Sequence, residues 1–197
     1  MRNIILASGS KARQTMLINA GLSFDIKPAG INEDIITKEL VADGASSGNI
    51  ALRLAREKAK KISQEIPDKY IIGSDQVLSM EDKIYSKAKD KKEALERLKN
   101  FQGNEHFLTS AVCVFRAGED LWHKTDAAAL KMKPLSIQDI EKYSTIAGNN
   151  LTDCVGCYAL ESVGVRLFES IRGDFFTILG MPLLPLLNYL DSEGLLS

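Results

Sequence analysis

An α/β fold follows from this sequence on three observations. Short apolar runs of strand length alternate with segments whose apolar residues recur every three or four positions. The alternation continues along the chain without repeats or low-complexity stretches, and 197 residues at 45% hydrophobic content supply a sizeable core for one large domain or two closely joined lobes.

Each element has its own reason. "NIILA", residues 3–7, is a buried strand that ends in "SGSK"; Met16, Leu17 and Ala20 then mark a short helix closed by Gly21, and "LSFDIKPA" resumes as a strand. Residues 30–48, "GINEDIITKELVADGASSG", are polar and punctuated by glycine, as expected of a long loop at a cleft. Over residues 49–65 the apolar positions Leu52, Ala55, Ala59, Ile62 and Ile66 predict an amphipathic helix, ended by Pro67. A strand at 70–73 follows, then "QVLSMEDKIY", a hairpin turning at Glu81 and Asp82.

In the second half, Asp90 with Glu93 three residues on is a capping-box pattern, and Ala94, Leu95, Leu98 and Phe101 share the face of a helix stopped by Gly103. "HFLTSAVCVFR" and "DLWHKTDAAALKM" read as paired strands, and "SIQDIEKYSTIAG" as a helix capped by Ser136. "GVRLFESI" reads as a further strand, and "MPLLPLLNYLDSEG" as a last helix with Pro182 near its first turn. A composition shift near residue 104 suggests two lobes with a cleft between them.

Composition excludes several classes of function. The formal charge of -1 leaves no global basic field for long nucleic acid, so a phosphate ligand must be met by a local cluster. Among the cysteines Cys113, Cys154 and Cys157, only the last two have suggestive spacing, and His106 and His123 stand far from them in sequence. A zinc site needs about four ligands, so ordinary reduced thiols in a reducing compartment are the expectation. No stretch approaches the roughly 18 apolar residues of a membrane span, and "MRNIILASGS" turns polar too soon for a signal h-region. A cytoplasmic protein without a membrane partner is expected.

Several residues carry possible chemistry. In "YIIGSDQVLSM", Asp75 and Gln76 follow an apolar strand and a glycine; Gly-Ser-Asp is ordinary turn chemistry, and a catalytic carboxylate is the alternative. The strand, "SGSKAR" and helix succession suits an anion: small residues admit backbone N–H groups, the helix start adds roughly half a positive charge, and Lys11 and Arg13 add whole ones. A Ser-rich capping loop with two solvated cations fits the same residues, and neither GxxxxGK[ST] nor GxGxxG occurs. Glu33 in "INED", Lys58 in "LRLAREKAKK" and Lys87 in "YSKAKD" have the look of surface charges. Taken together, two carboxylates, a Ser-rich helix start and several cations are what metal-assisted attack on a phosphate requires.

These residues also resemble a family. "IILASGSKARQTML" is similar to the Maf opening L-A-S-x-S-P-(R/W)-R and its helix, "INED" to V-D-E, "LRLAREKA" to L-A-x-x-K-A and "IIGSDQV" to G-(A/S)-D-(T/Q)-V. "FQGNEH", "LTSAVCV" and residues 153–183 resemble its G-x-x-H, T-G-V and late glycine-rich segments, in order over nearly the whole chain. The resemblance implies a cytosolic nucleoside triphosphate pyrophosphatase that uses Mg²⁺ or Mn²⁺. It also implies a mixed twisted sheet flanked by helices, two lobes of one 1–197 domain with the active-site cleft between them, and a homodimer. Some members are linked to arrest of septum formation.

By resemblance, Asp75 is the proton acceptor for the attacking water and, with Glu33, binds metal. Ser8, Ser10, Arg13, Lys58 and Lys87 fall on triphosphate-holding positions. At three base-selectivity positions a dTTP/UTP subgroup has Arg, Thr and Gln and a 7-methyl-GTP subgroup has Trp, Gln and Glu; here they are Ala12, Gln76 and Glu161, two of them as in the second subgroup. The family's Pro-(Arg/Trp) is Lys11-Ala12 here, and its Gly-Lys-Pro is Ser86-Lys87-Ala88, which bears on substrate preference. Two other readings stand: a non-catalytic nucleotide-binding protein in septum-formation control, and a phosphatase of another small ester.

Overall fold

Residues 3–196, apart from 82 and 149, are described by a computed structural model of the chain. In chain order the elements are β1 (Ile4–Leu6), α1 (Lys11–Asn19), β2 (Asp25–Ile26), α2 (Glu33–Ala42), α3 (Ser47–Glu65), β3 (Tyr70–Met80), β4 (Lys83–Tyr85) and α4 (Lys91–Phe101). There follow β5 (Glu105–Arg116), β6 (Glu119–Met132), α5 (Ile137–Ala147), α6 (Asn150–Asp153), a 3₁₀ turn (Val163–Leu167), β7 (Phe168–Arg172), α7 (Phe175–Ile178) and α8 (Leu183–Ser192). The expected α/β class with a mixed sheet holds: the order is β2-β1-β3-β5-β6-β7, with β4 also on β3. β1 runs parallel to β2 and β3, and the remaining pairs are antiparallel.

Among the described residues, pairing along one edge of β3 is interrupted. One edge of β3 pairs with β5 from Ile71 to Ser79. The other edge is shared: Tyr70, Ile71 and Ile72 pair with β1, and Leu78, Ser79 and Met80 pair with β4. Between them residues 73–77 meet no strand on that edge among the described residues.

α3 lies directly over β3. It starts at a true cap, the Asn49 N–H donating to Ser46 Oγ at 3.3 Å, and stops at Glu65, two residues before Pro67, leaving Ile66 non-helical as the steric restriction on the residue preceding proline favours. Its buried stripe is Ile50, Ala51, Leu54, Ala55, Ala59 and Ile62, small where it crosses the sheet. At that crossing a Cβ on Gly73 would stand 2.2 Å from the Ala55 carbonyl oxygen and 2.7 Å from Ala59 Cβ. Only glycine allows the helix this close.

The buried residues form three apolar clusters. One joins β1, α3 and β3 on one face, and a second joins β1, α1, Phe24, Met181 and α8 on the other. The third gathers Leu78, α4, Leu108, Leu130, α5 and residues 157–178. Residues on both sides of position 104 share this last cluster.

Some expectations are corrected. Residues 30–48 are not one loop: α2 occupies 33–42, because Asn32 accepts from the Ile35 N–H at 3.2 Å and Glu33 and Asp34 favour the positive helix end. The glycines lie outside it, Gly30 and Gly44 at positive φ on either side. Of "LSFDIKPA" only Asp25–Ile26 is strand, and "GVRLFESI" divides into the 3₁₀ turn and β7. Glu81 sits at the hairpin turn with φ 54; Asp82 lies outside the described residues.

The α3–β3 contact gives a direct test. Gly73→Ala should lower unfolding stability by roughly 2–3 kcal/mol or more, as an overpacked contact against backbone does, measured by urea denaturation. A change within about 0.5 kcal/mol, the scale of a neutral surface substitution, would contradict the close approach.

Candidate active site

Asp75 projects from the unpaired stretch of β3. Successive strand residues alternate faces, so Gly73 and Asp75 both point toward α3. Lys58 is one residue before Ala59, which meets Gly73, and it therefore arrives beside Asp75. Its ammonium donates to Asp75 Oδ1 and lies 2.8 Å from Glu33 Oε1. Asp75 is 6% exposed and Lys58 7%, whereas Glu33, in the first turn of α2, is half-exposed. Asp75 is thus neither in a turn nor at a strand end, and Lys58 is not a surface charge.

Arg13 brings a second buried cation, 8% exposed. Nε donates to the Gly180 carbonyl at 2.9 Å and Nη1 to Ser8 Oγ at 3.2 Å; Ser8 Oγ also accepts from the Ser10 N–H at 3.3 Å. The "SGSKAR" turn therefore directs an arginine inward while Lys11 stays outside. Ser10 is half-buried and precedes α1 without capping it through its side chain.

Charge and burial oppose one another here. Burial pushes the Asp75 carboxyl above its ordinary value, Lys58 and Arg13 pull it down, and Glu33 pushes it up. Burial likewise lowers the Arg13 guanidinium, against the pull of Asp75 and Glu33. A guanidinium stays protonated in proteins, and the two cations oppose burial without cancelling it, so Asp75 is shifted upward on balance.

The remaining expected residues fall elsewhere. Lys87 and Glu161 are exposed, and both act on the half-buried Cys154 thiol. Burial is the main cause that raises that thiol to about 11; Glu161 pushes it further up and Lys87 opposes. Ala12 is half-buried in the first turn of α1. Gln76 is half-buried. It points to the sheet face opposite Asp75, where its amide nitrogen donates to Ser110 Oγ at 3.1 Å and to the Thr177 and Ile178 carbonyls at 3.0 and 2.9 Å.

The structure also shows residues that sequence reasoning passed over. Ser74 Oγ donates to the Ala111 and Gly180 carbonyls at 2.8 and 3.0 Å, and Ser110 Oγ to the Thr177 carbonyl at 2.7 Å. Residues 177–180 are therefore fastened to β3 and β5 through their main chain, which leaves no side-chain signal in the sequence. The three cysteines are free thiols, and among the described residues no group of three His, Cys, Asp or Glu side chains could hold a metal. No described helix is long and apolar enough to cross a membrane.

A family profile described as "Maf-like protein" matches residues 3–193. The chain belongs to the Maf-like family. Relatives of this Maf-like chain include a protein of Granulibacter bethesdensis named nucleoside triphosphate pyrophosphatase, 43% identical over 194 residues, 98% of each chain. One of Nitrobacter hamburgensis with the same name is 45% identical over 98% of this chain and 95% of its own. One of Rhizobium meliloti, named 7-methyl-GTP pyrophosphatase, is 41% identical over 97% of this chain and 96% of its own. A HAM1 protein from Coxiella burnetii shows a TM-score of 0.38 at 14% identity, over 67% of this chain and 73% of that one.

The buried pair makes an energetic prediction for this Maf-like protein. Lys58→Met should lower stability at pH 7 by roughly 3 kcal/mol, the cost of stranding a buried charge. Adding Asp75→Asn should recover more than half of that loss, because no buried carboxylate is then left without its cation; Glu33, the other partner of Lys58, is half-exposed. Urea denaturation of both variants checks it; a double variant no more stable than the single one contradicts the pairing.

Proposed function

We propose that this chain is a nucleoside triphosphate pyrophosphatase, which hydrolyses a nucleoside triphosphate to the monophosphate and pyrophosphate with Asp75 as general base. The observation that carries the reading is a buried carboxylate at the gap along one edge of β3, flanked by the two buried cations Lys58 and Arg13. Phosphoryl chemistry asks a protein mainly to position a water and to neutralise charge on the phosphate oxygens, and this arrangement offers both. The relatives' names support the same activity.

Asp75 and Glu33 supply hard oxygen donors that converge on one ammonium. That set fits Mg²⁺ or Mn²⁺, which commonly takes one or two carboxylates together with phosphate oxygens and waters, so these two residues would hold the ion. When bound it supplies Lewis-acid polarisation of the phosphate oxygens. Lys58 occupies Asp75 Oδ1, which leaves Oδ2 to take the proton from the attacking water. Lys58 and Arg13 favour the ionised form of Asp75 that this task needs, against the pull of burial, and Arg13, fixed by Gly180 and Ser8, faces the departing phosphates without first having to be ordered.

The gap at residues 73–77 is where we place the cleft between two lobes. Homodimeric assembly, a cytoplasmic location and a role in clearing modified or surplus nucleotides complete the proposal. For the base, Glu161 supports a guanine-type preference: an ionised carboxylate accepts two hydrogen bonds from the N1–H and N2–H₂ edge of guanine but meets only acceptors at O2 and O4 of uracil or thymine. Ala12 offers no aromatic plate for a methylated ring, so GTP and 7-methyl-GTP should differ little.

Asp75→Asn should lose at least about 10²-fold in turnover, the scale of a general base, with nucleotide binding retained; chelating divalent ions should abolish wild-type turnover. Pyrophosphate release and binding calorimetry read both. A wild type that binds nucleotides without releasing pyrophosphate would favour the non-catalytic alternative. Comparing wild type with Glu161→Gln on 7-methyl-GTP, GTP, dTTP and UTP tests the base: the wild type should favour the purines and the variant should lose that bias. A wild type preferring pyrimidines, or a variant with unmoved preference, rules it out.

A further inference from the structure

α4 carries a buried charge outside the Asp75 cluster. Arg97 lies on its apolar face with Ala94, Leu98 and Phe101 and is 6% exposed. Its Nη1 donates to the Ser86 carbonyl and, at 2.8 Å, to the Val155 carbonyl, while Nη2 donates to Glu93 Oε1 at 2.9 Å. The Tyr85 ring stands 5.4 Å from its Cζ. A single planar fork thus holds together two main-chain segments about seventy residues apart, a geometry that lysine cannot reproduce.

Both segments adjoin residues that the Maf resemblance assigns to the substrate, Lys87 and Glu161. Ser86 immediately precedes Lys87, and Val155 lies within the turn closed by the Cys157 N–H on the Cys154 carbonyl at 3.1 Å. That turn is fastened from its other sides. The Tyr143 hydroxyl donates to the Cys157 carbonyl at 3.1 Å, and the Tyr158 ring packs so closely on Gly156 that a Cβ there would stand 2.4 Å from it. The Tyr158 hydroxyl lies 2.6 Å from His106 Nε2 in the core. Cys154, at the open end of the turn, has Glu161 and Lys87 as its charged neighbours together with Asp153. Lys87 is an exposed, long, rotamer-rich side chain, and only a fixed backbone gives it a defined place to act from.

We propose that Arg97 is a positioning residue for nucleotide hydrolysis: by clamping the Ser86 and Val155 carbonyls it fixes Lys87 beside the Cys154 turn and its neighbour Glu161, so that both face the substrate from one rigid wall. This rests on the pyrophosphatase reading above and extends it to a residue that never touches substrate. Arg97 acts through Lys87, so its effect is specific to the ligands that Lys87 contacts, which on the family resemblance are triphosphates rather than monophosphates.

A double-mutant cycle separates this from a purely structural role. Arg97→Gln should lower kcat/KM for a nucleoside triphosphate roughly 10- to 100-fold, the scale of a small misplacement of a catalytic group, with Arg97→Lys recovering part of it. The affinity for a non-hydrolysable α,β-methylene triphosphate should fall similarly and that for the monophosphate much less. In a Lys87→Ala background, Arg97→Gln should cost less than about twofold more on both readouts, as expected of two residues that act as one unit. Should Arg97→Gln fail to fold by thermal denaturation, Glu93→Gln, which removes the outermost partner of the guanidinium, gives the same cycle with a smaller loss. A full loss in the Lys87→Ala background, or equal weakening of tri- and monophosphate, overturns the proposal. A wild type that binds the analogue without turnover overturns only the pyrophosphatase reading, and the affinity cycle then decides Arg97.

Discussion

Burying the Asp75 carboxylate at 6% exposure is tolerable only beside a cation, and Lys58 reaches it across the contact between α3 and β3. That contact exists because Gly73 has no side chain and because α3 presents alanines at 55 and 59 where it crosses the sheet. Packing and chemistry are therefore one constraint. A larger residue at 73 pushes the helix away, and the same movement withdraws Lys58 from the carboxylate. Desolvation alone would leave Asp75 neutral and useless as a base, so the chemistry depends on an apolar close approach two residues away.

The second cation is held by a different logic. Arg13 leaves α1 near the chain start and is fixed by the Gly180 carbonyl near the chain end. That carbonyl also accepts from Ser74, while Gln76 and Ser110 bind the carbonyls just before it. β3 thus works on both faces. Asp75 projects toward α3, and its sequence neighbours 74 and 76 secure the segment that fixes Arg13. Met181 and α8 then close the cluster formed by β1 and α1, so the two ends of the chain complete one half of the site together.

Much of this was legible in the sequence wherever a local period or cap carried the signal. α3, α4 and α5 were readable because apolar residues recur at helical spacing and Ser or Asp stands at the cap. α2 was not, because it buries no residue and the glycines at 30, 44 and 48 around it suggested a loop. The motif residues Asp75, Lys58, Arg13, Ser8 and Glu33 do come together, yet burial of the two cations was not visible, since "EKAKK" and "SGSKAR" have the local composition of a surface. Gln76 adjoins Asp75 in sequence yet lies on the opposite face of the sheet, as strand alternation requires. Arg97 had a readable mark, a charge at the i+3 position from Ala94 on an apolar stripe, which is the pattern of a buried arginine with partners.

The length of the central strands has a mechanical meaning. β3, β5 and β6, of 11, 12 and 14 residues, run unbroken between regions that belong to different apolar clusters. Their register slips fall near strand ends, between Val114 and Phe115 and between Lys131 and Met132, and none lies opposite Asp75. A hinge that opened the gap beside β3 would have to bend three hydrogen-bonded ladders at once, unlike the usual domain closure, which turns about a few loop residues. The sheet therefore acts as a stiff beam beneath the site. A ligand has to match a shape already set, and what leaves must do so because its own contacts have weakened, with no jaw to let it go.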